Sequence, residues 1–183
     1  RALPESIVLY PSDAISTHKL VDQMAQCNKG ISYLRTTRMA TPVVYDVNEQ
    51  FPIGGCKVLK QSAQDKVCII GAGVTLHEAL KAYDQLNQKG IAVAVIDLYC
   101  IKPLDAKTII EVAKKSGGKV ITVEDHYAQG GIGDAVCAAL SDESITIDCL
   151  AVRELPRSGK PEELLAMHGI NAAAIIKQVE NLI

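Results

Sequence analysis

The 183-residue sequence contains no tryptophan and one phenylalanine, and aromatics make up only 4% of it. A platform that stacks nucleobases needs aromatic rings beside a basic groove. Neither sign of charge dominates, since 19 Lys and Arg stand against 21 Asp and Glu. Nucleic acid is therefore not expected as a partner. No run of 18 apolar residues occurs, and the first residues lack the pattern of a secretory signal, so no membrane partner is expected. The six cysteines, at 27, 56, 68, 100, 137 and 149, include no CxxC pair, which argues against a zinc site. Cys68, Cys137 and Cys149 fall inside strand or helix patterns and read as small core residues. This cysteine usage suits a reducing, cytoplasmic setting.

What is present is enough apolar side chain, 48%, to build a core without disulfides. Residues 56–183 alternate between the two periodicities. Strands are predicted at 57–59, 67–70, 92–97, 120–124 and 146–151, and helices at 76–89, 106–116, 132–141, 162–168 and 172–182. Such alternation predicts an α/β fold: a mainly parallel open sheet with helices on both faces. Thr75 and Glu78 have the spacing of a capping box, Asp105 stands where a cap is needed, and Pro161 suits a first helical turn. The first 45 residues hold a shorter unit. Ile7–Tyr10 reads as a strand, Ser12 or Asp13 as the cap of a helix over 14–26, and Ile31–Leu34 as a second strand. Val43–Tyr45 is a third strand pattern. So few strands cannot cover a sheet, so this unit is expected to be the end of a larger domain.

The most informative stretch is Lys119–Val136, KVITVEDHYAQGGIGDAV. It reads as a buried strand, a polar loop with Glu124, Asp125 and His126, and a helix opened by Gly130, Gly131 and Gly133. In open α/β sheets, ligands gather at this carboxyl edge. The three glycines form a candidate anion-binding or interface loop, because free backbone N–H groups attract anions and bare Cα atoms permit close approach. Glu124, Asp125 and His126 are adjacent, so their side chains diverge, and a loop-fixing role is expected over a shared metal. Gly71-Ala72-Gly73 begins like a dinucleotide fingerprint, but Leu76 stands at the third glycine position, and a tight strand–helix turn is expected instead. Arg35 and Arg38 follow a strand edge. Each could grip a phosphate through its donor fork or make a surface ion pair. No Ser/His/Asp or Cys/His set assembles, so no catalytic, cofactor-binding or metal-ligating residue is assigned.

Six segments, in order, resemble transketolase at its C-terminal end: YPSDA (10–14), LRTTR (34–38), IIGAGVTLHEAL (69–80), IKPLD (101–105), TVEDHYAQGGIGDAV (122–136) and PRSGKPEELL (156–165). The resemblance implies a part of a thiamine-diphosphate enzyme of the pentose phosphate pathway, one that moves a two-carbon ketol unit between sugar phosphates. It implies a homodimer, and a divalent cation (Mg or Ca) beside the cofactor in the full-length enzyme. By this resemblance residues 1–48 are the tail of the pyrimidine-binding domain, 49–56 a linker and 57–183 the C-terminal domain. The family's phosphate-gripping arginine falls at Arg38, although Met39 stands where the family usually has proline. The motif for metal and diphosphate, and the glutamate that activates the aminopyrimidine, lie upstream in the family. Neither cofactor is expected within these residues, and the chain is expected to be inactive without the remainder of the transketolase polypeptide. The alternatives are a non-catalytic interaction module, the small subunit of a split thiamine enzyme, or a relative such as deoxyxylulose-phosphate synthase or a 2-oxo acid dehydrogenase beta subunit.

Overall fold

The structure is a computed structural model that describes residues 1–28 and 30–183. The chain runs β1 (Ile7–Leu9), α1 (Ala14–Gln26), β2 (Ser32–Leu34), β3 (Lys57–Lys60), β4 (Cys68–Gly71), α2 (Val74–Gln88), β5 (Ala94–Asp97) and β6 (Cys100–Lys102). It continues through α3 (Ala106–Lys115), β7 (Lys119–Tyr127), α4 (Ile132–Ala139), β8 (Thr146–Val152), α5 (Pro161–Met167) and α6 (Ala172–Leu182).

Five strands form the main sheet in the order β3-β5-β4-β7-β8. All its pairings are parallel except β3 with β5. Successive side chains of a strand point to opposite faces, and here both faces are covered. Ile69, Val95, Ile121 and Val123 point into one layer, which α2 and α6 fill with Leu76, Leu86, Ile175 and Val179. Cys68, Ile70, Ile96 and Val120 point into the other, filled by Ile109 and Val112 of α3 and Ile132 and Val136 of α4. A sheet buried on both sides needs apolar residues at every position, which is why Cys68–Gly71 and Ala94–Asp97 lack alternation. The expected fold class is therefore the observed one.

A second sheet has the order β2-β1-β6. Its first pair is parallel, as a strand–helix–strand unit requires, while β6 joins antiparallel. The segment after β5 thus lends a strand to the first unit. Cys100–Lys102 is not among the strands expected from the sequence, so β6 was missed. A third apolar cluster, with Leu9, Leu20, Tyr45, Phe51 and Tyr99, seals this junction. The Phe51 ring packs edge-on against Tyr45 and Tyr99, with centroids 4.7 and 5.1 Å away.

Several local expectations change. Val43–Tyr45 is not a strand. The N–H groups of Val44 and Tyr45 instead donate to the Asp13 carboxylate, at 2.9 and 3.0 Å. Asp13 also caps α1, with Ser16 closing a reciprocal capping box. The Thr75–Glu78 box does not form, because α2 starts earlier, with Gly73 at its cap. The Thr75 hydroxyl donates to Val123 O at 2.7 Å, and Glu78 accepts from Ala172 N at 2.8 Å. Both side chains join elements instead of capping α2, Glu78 by taking the first N–H of α6. Asp105 does cap α3, and Pro161 opens α5. Cys137 is exposed, contrary to its core assignment, whereas Cys68 is fully buried and Cys149 half-buried.

Candidate functional site

In the main sheet the chain leaves β4 toward β5 on one side and leaves β7 toward β8 on the other. The carboxyl ends of β4 and β7 therefore flank the point where the winding reverses, the usual ligand crevice of an open α/β sheet. Here the crevice is occupied by the chain's own first segment. The Tyr10 ring lies against Gly73, where any Cβ would overlap it, and Gly73 has a φ of +55°. Ser12 Oγ accepts from Gly73 N at 2.9 Å, and Ser12 Oγ donates to Asp97 at the same distance. Gly71-Ala72-Gly73 is thus a close-packed turn, as its incomplete fingerprint suggested.

Beyond β7, Glu124 turns back into the glycine loop. Its two carboxylate oxygens accept from Ile132 N at 2.6 Å and Gly133 N at 2.9 Å. An acidic group at a helix N-terminus satisfies orphan donors and complements the dipole. A Cβ on Gly131 would overlap this carboxylate, so glycine there is what lets Glu124 dock. Gly133 is pressed against Cys149, while Gly130, at a φ of +76°, donates its N–H to Asp134 at 2.6 Å. The anion held by the Ile132 and Gly133 amides is therefore internal. Burial raises the Glu124 carboxyl above its ordinary pKa, and the two N–H bonds oppose that rise.

Asp125 points the other way. Its carboxylate accepts both ends of the Arg35 guanidinium, at 2.8 and 3.1 Å, and its carbonyl accepts a third bond at 3.1 Å. Tyr10 OH donates to the same carboxylate at 3.0 Å, and the Arg35 guanidinium lies 4.6 Å from the Tyr10 ring centre. Burial, followed by the Asp125 charge, pushes the Tyr10 hydroxyl well above its ordinary pKa. His126 is exposed, with its Nδ1 2.8 Å from the neighbouring Tyr127 carbonyl and its ring edge-on to the Tyr127 ring. The three adjacent residues thus serve three separate places.

Arg35 is consumed by this pairing, whereas Arg38 is not. Arg38 is exposed and has no hydrogen-bond or ion-pair partner among the described residues. It lies on the rim of a cleft of about 380 Å³ with Thr36, Thr37, Val152, Pro161 and His168. Its charged fork is free to take an anion from solvent.

Behind the crevice, Asp97 is fully buried and accepts from Ser12 and from Tyr45 OH at 2.5 Å. Burial pushes its carboxyl up to about 7, against the two hydrogen bonds. Sequence reasoning did not select Asp97 for this role. Its only signal was an acidic residue at the end of an otherwise apolar strand.

The residues present do not fit a diphosphate. The amides of one glycine turn are taken by Ser12 and Tyr10, and those of the other by Glu124. Among the described residues no group of three or more His, Cys, Asp or Glu side chains is placed to hold a metal ion.

Fold and site together define an open α/β domain whose ligand crevice is closed by a preceding segment and whose rim carries Arg38, without a partner among the described residues. Residues 55–175, about two-thirds of the chain, match the family model described as transketolase, C-terminal domain. The chain is 57% identical to transketolase-like protein 2 of Mus musculus, over 100% of this chain and 29% of that protein. It is 48% identical to transketolase of Mus musculus, with the same coverage. A solved structure described as a split gene transketolase, inactive beta4 tetramer, superposes with a TM-score of 0.90 at 33% identity, covering 100% of this chain and 58% of that one. The chain belongs to the transketolase family. It spans about 29% of the length of these curated relatives.

Proposed function

We propose that these residues form the C-terminal part of a thiamine-diphosphate-dependent transketolase that transfers a two-carbon ketol unit between sugar phosphates in the pentose phosphate pathway. The observation that carries this reading is the contrast between two arginines three positions apart. Arg35 is bound on both prongs by Asp125, while Arg38 faces an open cleft without a partner among the described residues. In this reading Arg38 holds the phosphate of the substrate, and the Arg35–Asp125 pair fixes the segment that carries it. Positioning of this kind reduces the entropy lost in reaching a reactive geometry. The carbon–carbon chemistry belongs to a cofactor, with its divalent cation, bound on polypeptide beyond these residues, so the chain alone is inactive. The working assembly is a cytoplasmic homodimer. No helix among the described residues is long and apolar enough to cross a membrane.

The test is Arg38→Ala in the complete enzyme. A charge-assisted hydrogen bond contributes about 1.5–3 kcal/mol, so KM for phosphorylated substrates should rise roughly 10- to 100-fold. Non-phosphorylated ketoses should be nearly unaffected. Equal losses for both classes would contradict a phosphate grip.

A second reading is that the chain belongs to the smaller subunit of a split enzyme. The similar solved structure, described as split gene transketolase in an inactive beta4 tetramer, favours it. Copurification with a separate thiamine-binding polypeptide would support it, and a single uninterrupted reading frame covering both parts would exclude it.

A further inference from the structure

Gly133 and Cys137 lie four residues apart on α4 and therefore share one face. That face packs on β8. A Cβ at Gly133 would lie 2.8 Å from Cys149 Sγ and 3.2 Å from Cys149 Cβ. One turn further along the same helix, Cys137 lies beside this sulfur, and after burial the neighbouring Cys149 contributes to raising the Cys137 thiol above its ordinary pKa. Both sulfurs are free thiols, Cys137 exposed and Cys149 half-buried. The other thiols are placed differently. Cys68 is fully buried, Cys100 donates to Pro103 O, and Cys56 is held by the Asp105 carboxylate. Cys137 thus combines an open approach from solvent with a second sulfur one helical turn away on the facing strand.

We propose that Cys137 and Cys149 form a reversible dithiol–disulfide pair that reacts with small disulfides such as oxidised glutathione. The Cys137 thiolate attacks one sulfur of the small disulfide, and the first glutathione thiolate leaves. Cys149 then gives its proton to solvent, attacks Cys137 Sγ and expels the second glutathione as the mixed disulfide breaks. The pair loses two electrons and two protons, and the small disulfide gains them. Exposure makes Cys137 the first target, and proximity makes Cys149 the resolving thiol.

Burial and the neighbouring Cys149 raise the Cys137 thiol above its ordinary pKa. The first attack is therefore slow near neutrality and accelerates as pH rises and the thiolate fraction grows. The bridge would tie α4 to β8 directly beneath the amides that hold Glu124. The proposal stands on this packing and is independent of the ketol-transfer reading.

The test treats the chain with oxidised glutathione at about pH 7 and about pH 9, blocks remaining thiols with iodoacetamide and maps the products by mass spectrometry. Cleavage at Lys and Arg releases 120–153, which carries both cysteines, and cleavage at Glu143 separates them. The expected product is an unalkylated 120–153 peptide lighter by two hydrogens, formed faster at the higher pH, whose halves stay joined after cleavage at Glu143 until reduced. In Cys149→Ser the glutathione should remain on Cys137. A stable glutathione adduct on Cys137 in the unsubstituted chain would overturn the proposal. So would both thiols remaining alkylated, or a bridge from either cysteine to Cys27 or to a second chain.

Discussion

Arg35 and Asp125, 90 residues apart in sequence, meet in a two-pronged ion pair that joins the first strand–helix–strand unit to the end of β7. The pair is only partly screened from solvent, with side-chain exposures of 33% and 20%. It is reinforced by Tyr10, which donates to the same carboxylate and lies beneath the guanidinium. Asp125→Asn removes the charge and one acceptor while keeping the shape. It should destabilise the fold by about 1.5–3 kcal/mol in urea denaturation. A double-mutant cycle with Arg35→Gln should show coupling between the two sites. Strict additivity would mean that the pair does not join the two units energetically.

The dock of Glu124 into the glycine loop gives a second prediction. Gly131→Ala forces a methyl group into the carboxylate, and Glu124→Gln presents an amide donor to one of the two N–H donors. Each should lower stability by about 1–3 kcal/mol and speed hydrogen exchange at Ile132 and Gly133. Gly130→Ala meets no neighbouring atom, so its effect comes from the positive φ alone and should be smaller, about 1 kcal/mol. Equal effects at 130 and 131 would contradict the packing argument.

Asp97 makes stability depend on pH. Its folded pKa of about 7 lies above the ordinary carboxyl value of 3.8, so the folded state binds this proton more tightly than the unfolded chain does. The stabilisation is fully present below about pH 4 and is lost as pH rises through about 7. Asp97→Asn should therefore gain on the unsubstituted protein between those limits, with a slope of at most about 1.4 kcal/mol per pH unit. Parallel pH profiles for the two proteins would mean that Asp97 titrates normally.

Much of the main sheet was legible because its signals are local. Apolar runs at 67–70 and 120–124, the cap at Asp105 and the turn proline at 161 each act within a few residues. The glycine loop was visible as a loop, but its occupant was not. Glu124 reaches the Gly133 amide only because β7 ends and α4 begins at an angle that the sequence does not state. Strand β6 has three residues and pairs with a strand more than 90 positions earlier, so no periodicity could reveal it. Val43–Tyr45 has the composition of a strand, yet its amides are taken by the Asp13 carboxylate. On side-chain chemistry alone the two arginines looked equivalent, and only the fold brings a distant aspartate to Arg35.

The most direct test of the account is a complementation assay of ketol transfer. It compares this chain alone, the upstream thiamine-binding polypeptide alone, and the two together with thiamine diphosphate, Mg²⁺ and a ketose phosphate donor. The account predicts product only from the combined polypeptides, and loss of most of that product when the chain carries Arg38→Ala. Turnover by this chain alone at the rate of the complete enzyme would contradict it.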